Sequence, residues 1–347
     1  MTDFQHLRLL FLKWTDPRVE PAWKAMETGV TNPFLHYDYL RYTFRFTRRS
    51  KPLYRIRVAC VLSGEEIVML LPLKGSADHR YWKMLGDIQG CDRTDALWKP
   101  SLSAAEREEL ARFLYSKIPQ RMSLHRIQCD SPLLSALPQE RLVKQERKTY
   151  VRISVPERDP DTLLKSLSSS VRQNIRTAYN RMRRDGVDYR FEVFDATHPV
   201  TDEAWGKIMD LYFDRIFTKY KSEKVHSWLG RWKMRRLYYR TKHDTLSLHY
   251  LPNSWHAVLW NGDRVMAFMN GLTTRDGTSV SVPRLAIDAA YSFYSPGYVL
   301  ITDAIRHIAA DPTMRELDLS RGDEKYKFDM GGQVYTTSDI DLSKSIR

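Results

Sequence analysis

Two segments far apart in the chain read as the same succession of elements, and this repeat limits the possible folds more than composition does. Residues 54–73, YRIRVACVLSGEEIVMLLPL, are two β-type runs flanking a Ser63-Gly64-Glu65-Glu66 turn. Residues 255–269, WHAVLWNGDRVMAFM, repeat the pattern around Asn261-Gly262-Asp263-Arg264. Asn-Gly between apolar runs is a strong hairpin signal, because both centres of a tight two-residue turn need a positive φ. After the first hairpin come a strand at Tyr81–Ile88, a helix over 103–117 and a strand over 123–129. After the second come a strand at Thr278–Ile287, a helix over 297–310 and a strand over 315–320. Each half therefore runs hairpin, strand, helix, strand. The repeat lies in the order of elements and hardly in residue identity.

A length of 347 residues suits two domains or one large one. With 42% hydrophobic and 12% aromatic residues, the chain has the material for packed cores and not the composition of a disordered one. A helical region separates the repeats. Asp159-Pro160-Asp161 is a good helix start, and the pattern continues to about Arg184 with Gly186 as C-cap. Leu164, Leu167, Val171, Ile175, Ala178 and Met182 fall on one stripe, and Arg172, Arg176 and Arg183 on another face. Further helices are predicted over 202–220 and 226–241. The boundary is placed before the strand Tyr150–Val155, giving domains 1–149 and 150–347.

The formal net charge of +13 predicts an anionic partner: nucleic acid, a nucleotide-containing cofactor, an acidic carrier protein or an anionic surface. Cys60, Cys91 and Cys129 are far apart and form no CxxC pair, so neither a disulfide framework nor a structural zinc site is expected. The ten histidines show no ligand spacing, and no metal is expected. The apolar stretch Leu7–Leu12 is short and contains Arg8, and no apolar run reaches about 18 residues. A soluble, cytoplasmic protein without membrane insertion is the expectation.

Two segments could carry chemistry. Ser295-Pro296-Gly297-Tyr298 follows a strand and opens a helix. The first N–H groups of a helix lack internal partners and sit at the positive end of its dipole, which suits a phosphate. Gly297 lets an anion approach the backbone, and Ser295 can cap. From the tetrapeptide alone a tight helix entry without ligand is the better account, because Ser-Pro-Gly is common. The second segment is Asp318-Leu319-Ser320-Arg321-Gly322-Asp323-Glu324-Lys325-Tyr326-Lys327, at the carboxyl end of a strand, where open α/β sheets bind ligands. It combines proton-transfer groups, Asp323 and Tyr326, with cations, Arg321 and Lys327. A solvated charged loop is the plainer account.

Together these segments resemble the C-terminal signature of GNAT-like acyltransferases found with cellulose-biosynthesis genes, which are similar in architecture to the FemABX aminoacyltransferases. The likeness rests on SPGYVL, a helix, then LDLSRGDEKYKFDMGG. The helix LSSSVRQNIRTAYNRMRRDG resembles the family's Arg-rich helix, and Asn32-Pro33-Phe34 its N-terminal Pro-Phe signature. It is firm over 255–331 and loose before residue 150. The resemblance implies α/β architecture with mixed sheets in two tandem GNAT domains, and acyl transfer from a thioester. It carries Ser295, Gly297, Asp318, Gly322, Asp323, Tyr326 and Lys327 over as matched positions. Single-domain GNAT proteins hold the pyrophosphate in a Gln/Arg-x-x-Gly-x-Gly/Ala loop, and this chain has only Ser295-Pro296-Gly297 there.

The expected reaction is direct attack of an amine or hydroxyl on acyl-CoA, with no Ser/His/Asp or Cys/His constellation to support a covalent intermediate. Asp323 is assigned to deprotonate or orient the acceptor and Tyr326 to protonate the leaving thiolate, with Lys327 and Asp318 completing the catalytic set. Backbone N–H groups near Ser281–Arg284 are assigned to the oxyanion. Ser295, Pro296, Gly297, Tyr298, Arg321 and Gly322 are expected to hold the donor, Arg321 and Lys327 taking its phosphates or the acceptor's carboxylate, and Arg172 and Arg176 form an anion-binding face or a solvated one. An acyl carrier protein and aminoacyl-tRNA are alternative donors, and a small molecule, a peptide or a glycan precursor the acceptor. A non-catalytic RNA-binding protein is the reading from another class. It would use the aromatic-basic stretch Trp228–Arg240, which an amphipathic helix burying Trp228, Trp232 and Leu237 explains as well. Residues 89–95 stand where the second half has its Arg-Gly-Asp loop but lack its pattern, so the N-terminal domain is expected to shape the acceptor site without binding donor.

Overall fold

The computed structural model describes residues 6–76, 80–87, 91–155, 159–219, 227–243 and 248–345. They form two compact units, residues 1–150 with 335–347, and residues 151–334. The C-terminal strand, which the linear division leaves in the second domain, therefore belongs to the first unit. No single boundary along the sequence expresses this.

In the first unit, β1 (Leu7–Leu12), β2 (Arg55–Ser63) and β3 (Glu66–Gly75) are antiparallel neighbours. β4 (Tyr81–Met84) follows β3, and β5 (Leu97–Trp98) pairs with the other end of β3. Helix α3 (Ala104–Lys117) crosses over to β6 (Arg121–Gln128), which lies parallel to β4. Ser103 and Glu106 start α3 with a reciprocal capping box that satisfies two orphan N–H groups. β13 (Gln333–Leu342) returns beside β6, and β7 (Leu142–Ser154) leads out toward the second unit. Helices α1 (Val19–Met26), α2 (Tyr37–Ser50) and α4 (Pro132–Ser135) complete the unit. Ile88, the expected end of β4, lies outside the described residues.

The first unit buries ionisable groups. Asp87 is held at about 2, burial notwithstanding, by a hydrogen bond from His125 and by the charges of Arg126 and Lys74. Asp95 lacks any such cation. It accepts hydrogen bonds from the Ser131 hydroxyl at 2.7 Å and the Ala96 N–H at 2.7 Å, and burial pushes it up to about 7.

The second unit opens with α5 (Pro160–Ser166) and α6 (Ser169–Arg184). The single helix expected over 159–184 is thus two. Leu167 turns to an extended ψ of 156°, and the Ser168 hydroxyl accepts the N–H of Val171 to begin a new helix. A serine that can satisfy the backbone locally breaks a helix that hydrophobic periodicity alone would continue. The stripe holds nevertheless: Leu167, Val171, Ile175, Ala178 and Met182 are buried. β8 (Tyr189–Phe194), α7 (Asp202–Lys219) and α8 (Trp228–His243) lead to the hairpin β9 (Ser254–Asn261) and β10 (Arg264–Thr273). Then come β11 (Ser279–Ile287), α9 (Pro296–Ala310), β12 (Glu316–Arg321) and α10 (Lys325–Asp329). The strand order is β12-β11-β10-β9-β8, parallel only between β11 and β12. The repeated order of hairpin, strand, helix and strand is present in both units.

One sheet face packs on α6 and α9 through Ile175, Met182, Leu300 and Ile305, and the other packs on α7 through Trp205, Ile208 and Met209. In α8, Trp228 and Trp232 do not pack inward; they are 77% and 49% exposed. The helix turns Tyr238 inward instead, onto Phe213 and Asp210 of α7. At 100° per residue Trp232 lies about 120° around from it. The side chain of Leu237 is outside the described set. No described helix is long and apolar enough to cross a membrane.

The register of β10 against β11 shifts between Asn270 and Leu272. There the β11 backbone bulges toward Gly271, where a Cβ would lie 1.8 Å from the Ser281 carbonyl oxygen. Only glycine fits this approach. Gly271→Ala is expected to destabilise the second unit by roughly 1–3 kcal/mol or more, read as a lower urea midpoint; an unchanged midpoint would mean the two strands separate freely here. For Asp95, the folded pKa lies above the unfolded one, so its contribution is complete below about pH 4 and is lost as pH rises through about 7. Urea titrations at several pH values should show Asp95→Asn gaining on wild type across that window and levelling off above it. A difference independent of pH would refute the assignment.

Candidate active site

β11 and β12 are parallel partners only from Ser279↔Glu316 to Ser281↔Asp318. Beyond that rung the strands part. β11 departs through its bulge and Pro283, which has no N–H to offer a neighbour. β12 departs through Ser320, at φ +63°, and Gly322, at φ +114°. Between them opens a cleft of about 220 Å³. Val282, Pro283, Arg284 and Leu285 line one side, Leu319 and Arg321 the other; Glu324, Tyr326 and Lys327 form one end, and Tyr212, Arg215 and Ile216 of α7 cover it.

The sequence-derived residues divide sharply around this cleft. Tyr326 and Arg321 line it. Burial pushes the Tyr326 phenol up to about 12, with the nearby Glu324 carboxylate adding to the effect. Asp318 is fully buried and accepts hydrogen bonds from the Ser320 N–H at 2.8 Å and the Ser281 hydroxyl at 3.4 Å. It secures the last rung from a buried position and does not line the cleft. Lys327 is 2% exposed. Its ammonium donates to the carbonyls of Ser320, Arg321 and Gly322 at 3.2, 2.8 and 3.3 Å and lies 3.1 Å from the Glu324 carboxylate. It clamps the turn, and its charge is spent inside the protein. Asp323 and Glu324 are both exposed, but only Glu324 lines the cleft. Gly322, at φ +114°, favours glycine by its backbone; a Cβ there would meet only the movable carboxylate end of Glu324.

The α9 entry stands beside this turn without lining the cleft. Its first-turn Tyr298 donates to Asp329 of α10 at 2.8 Å, joining the two segments. Ser295 takes the N-cap position in left-handed geometry, φ 48° and ψ 52°, and its side chain makes no capping bond. Side-chain capping needs an extended N-cap residue, so Ser295 does not cap as expected. Pro296 is buried at the first helical position. A Cβ on Gly297 would meet only Ile287, at 3.6 Å, so packing does not demand glycine there. Arg172 and Arg176 are exposed on α6 and line no part of the cleft. The Arg172 guanidinium donates to the Lys165 carbonyl at 2.5 Å, bridging the break between α5 and α6.

Sequence reasoning gave no role to the side chains of Glu324, Arg215 and Arg284, nor to Gly271. One signal was available: an isolated Pro, Pro283, inside the predicted strand Thr278–Ile287 marks a bulge or an unpaired edge. Among the described residues no cluster of three His, Cys, Asp or Glu could hold a metal ion.

The first unit treats the equivalent place differently. β4 and β6 are parallel from Tyr81↔Arg121 to Lys83↔Ser123, and beyond them Thr94 inserts a parallel bridge to Ile127. The Thr94 N–H donates to the Arg126 carbonyl at 3.1 Å, and Cys91–Trp98 are all buried. Where the second unit has a cleft, the first has a plug. Gln89 and Gly90, at its start, lie outside the described residues.

Residues 169–328 match the family described as acetyltransferase (GNAT) domain. A conserved protein of unknown function from Bacteroides thetaiotaomicron superposes with a TM-score of 0.57 at 14% identity, over 97% of this chain and 100% of the other. A tandem GNAT protein from the clavulanic acid biosynthesis pathway gives 0.51 at 13%, over 97% and 98%. FemX gives 0.53 at 10%, over 92% and 93%. No curated protein sequence matches. The likeness is of fold, and the fold is that of two tandem GNAT domains.

Lys327→Met removes the clamp and leaves three carbonyls and Glu324 facing an apolar side chain. A loss of about 3 kcal/mol is expected, measured by urea unfolding. Unchanged stability would mean the lysine is free to serve a ligand.

Proposed function

We propose that the second unit is an acyltransferase in which a thioester donor, acyl-CoA, threads between β11 and β12 while the acceptor enters beneath α7. The parting of the two strands at Ser281 and Asp318 carries this reading, supported by the GNAT family match and the transferase fold it brings. A slot between parallel strands offers backbone groups on both edges, as an extended, amide-containing donor arm requires. The donor's phosphates go to the α9 entry at Ser295, Pro296 and Gly297, where the Gly297 N–H and the positive end of the helix dipole favour anions.

In the reaction, the acceptor nitrogen attacks the thioester carbonyl carbon and the C–S bond breaks. The departing amine proton passes to Glu324, the carboxylate that lines the cleft, in place of Asp323, which does not line it. The N–H groups of Val282 and Arg284 receive the oxyanion. Tyr326, at about 12, stays protonated at neutral pH. A thiol ionises near 8.5, so full proton transfer from this phenol runs uphill by roughly three units. Tyr326 therefore acts as a hydrogen-bond donor to the leaving thiolate and not as a complete acid. The plugged first unit binds no donor.

The test is thermal stabilisation by CoA, acetyl-CoA and a long-chain acyl-CoA, since a ligand of the folded state raises the midpoint. A shift is expected, lost in Gly297→Trp and kept in Tyr326→Phe, whose turnover should fall about 10²-fold. No shift with any thioester would sink the acyl-CoA reading. The fold shared with FemX and the charge of +13 would then favour an aminoacyl-tRNA donor over an acyl carrier protein. Tight RNA binding indifferent to loss of Tyr326 would instead indicate a non-catalytic role.

A further inference from the structure

We propose that the acceptor carries an anionic group, a carboxylate or a phosphate ester, held by Arg215, Arg284 and Arg321. The inference rests on the acyl-transfer reading of the cleft and names the class of molecule that enters it.

The three guanidinium groups come from α7, β11 and the end of β12 and line one small cleft. None makes an ion pair with a described residue. The one carboxylate in the lining, Glu324, lies 3.1 Å from the Lys327 ammonium and is already balanced. Arg284 lies 5.3 Å over the Tyr212 ring, a contact that orients the guanidinium without neutralising it. Three gathered like charges raise the energy of the empty site, and an entering anion relieves it. The donor's own phosphates do not meet this need, because Ser295, Pro296 and Gly297 do not line the cleft.

A second observation lies behind Arg284, outside the lining of the cleft. Asn270 is the register partner of Arg284 on β10, and His256 is the partner of Asn270 on β9. Asn270 and His256 are 4% and 1% exposed, and neither the amide atoms nor the ring nitrogens have a hydrogen-bond partner. Such groups are rare in folded proteins and need an explanation. Burial keeps His256 neutral, at about 3. The row running from Arg284 through Asn270 to His256 therefore adds donors and acceptors but no further charge.

The experiment is calorimetric titration of the full chain with inorganic phosphate and with succinate, at constant ionic strength, with and without saturating acetyl-CoA. Both anions should bind, and bind equally well beside acetyl-CoA. Arg284→Gln and Arg321→Gln should each weaken them at least tenfold while acetyl-CoA binding is kept, which also reports folding. Arg172→Gln, on the exposed face of α6, should change nothing. Absence of anion binding, or binding untouched by both cleft substitutions, overturns the proposal. Competition between the anions and acetyl-CoA also overturns it, by giving the arginines to the donor. If acetyl-CoA fails to bind wild type while the anions bind and depend on Arg284, the donor reading fails and the anion subsite stands.

Discussion

The pairing of Ser281 with Asp318 is the point on which the second unit turns. It is the last rung of the parallel ladder, and Asp318 secures it from both sides, accepting the Ser320 N–H and the Ser281 hydroxyl in a fully buried position. A buried carboxylate is expensive to desolvate, and its hydrogen bonds serve here to fix a position more than to add stability. Immediately after it the chain takes two left-handed conformations, at Ser320 and Gly322, and Lys327 gathers the carbonyls of that turn onto one ammonium. Bulge, rung and clamp together decide where the strands separate, and the cleft follows from that.

The first unit makes the same argument by contrast. Its parallel pair also ends after three residues, at Lys83 and Ser123. The opening is filled from its own chain by Cys91–Ala96, with Thr94 laddered to Ile127 and the Asp92 carbonyl accepting the Tyr150 hydroxyl at 2.9 Å. Asp95 is buried there to the point of holding its proton near neutral pH. The same topology thus yields a closed slot in one unit and an open one in the other, and the difference lies in a loop of a few residues.

Much of the architecture was legible because it depends on local signals. Asn261-Gly262 sets a hairpin, Ser103 and Glu106 start a helix, and the stripe from Leu167 to Met182 buries as its period requires. What was not legible depends on direction. Asp323 and Glu324 are chemically alike and adjacent, and only the path of the chain after β12 brings one of them, Glu324, into the lining of the cleft. Lys327 reads as a free cation in sequence, yet it is the most occupied side chain of the turn. Ser295 reads as a cap, yet its left-handed backbone removes its hydroxyl from the helix N–H groups. Arg215 and Arg284 carry no motif, and only the packing of α7 over β11 brings them together.

Net charge shows the same limit. A formal +13 says that an anion is expected and nothing about where. The exposed arginines of α6 look like a binding face along the helix, but water screens them, and Arg172 is taken up in closing a break in the backbone. The arginines of the cleft are fewer and scattered in sequence. They are set in a concave site beside a lysine that has already neutralised the one carboxylate in the lining, so their field is neither balanced nor fully screened. Charge that acts on a ligand is the charge left over after the fold has used its own, and here that remainder is concentrated where β11 and β12 part.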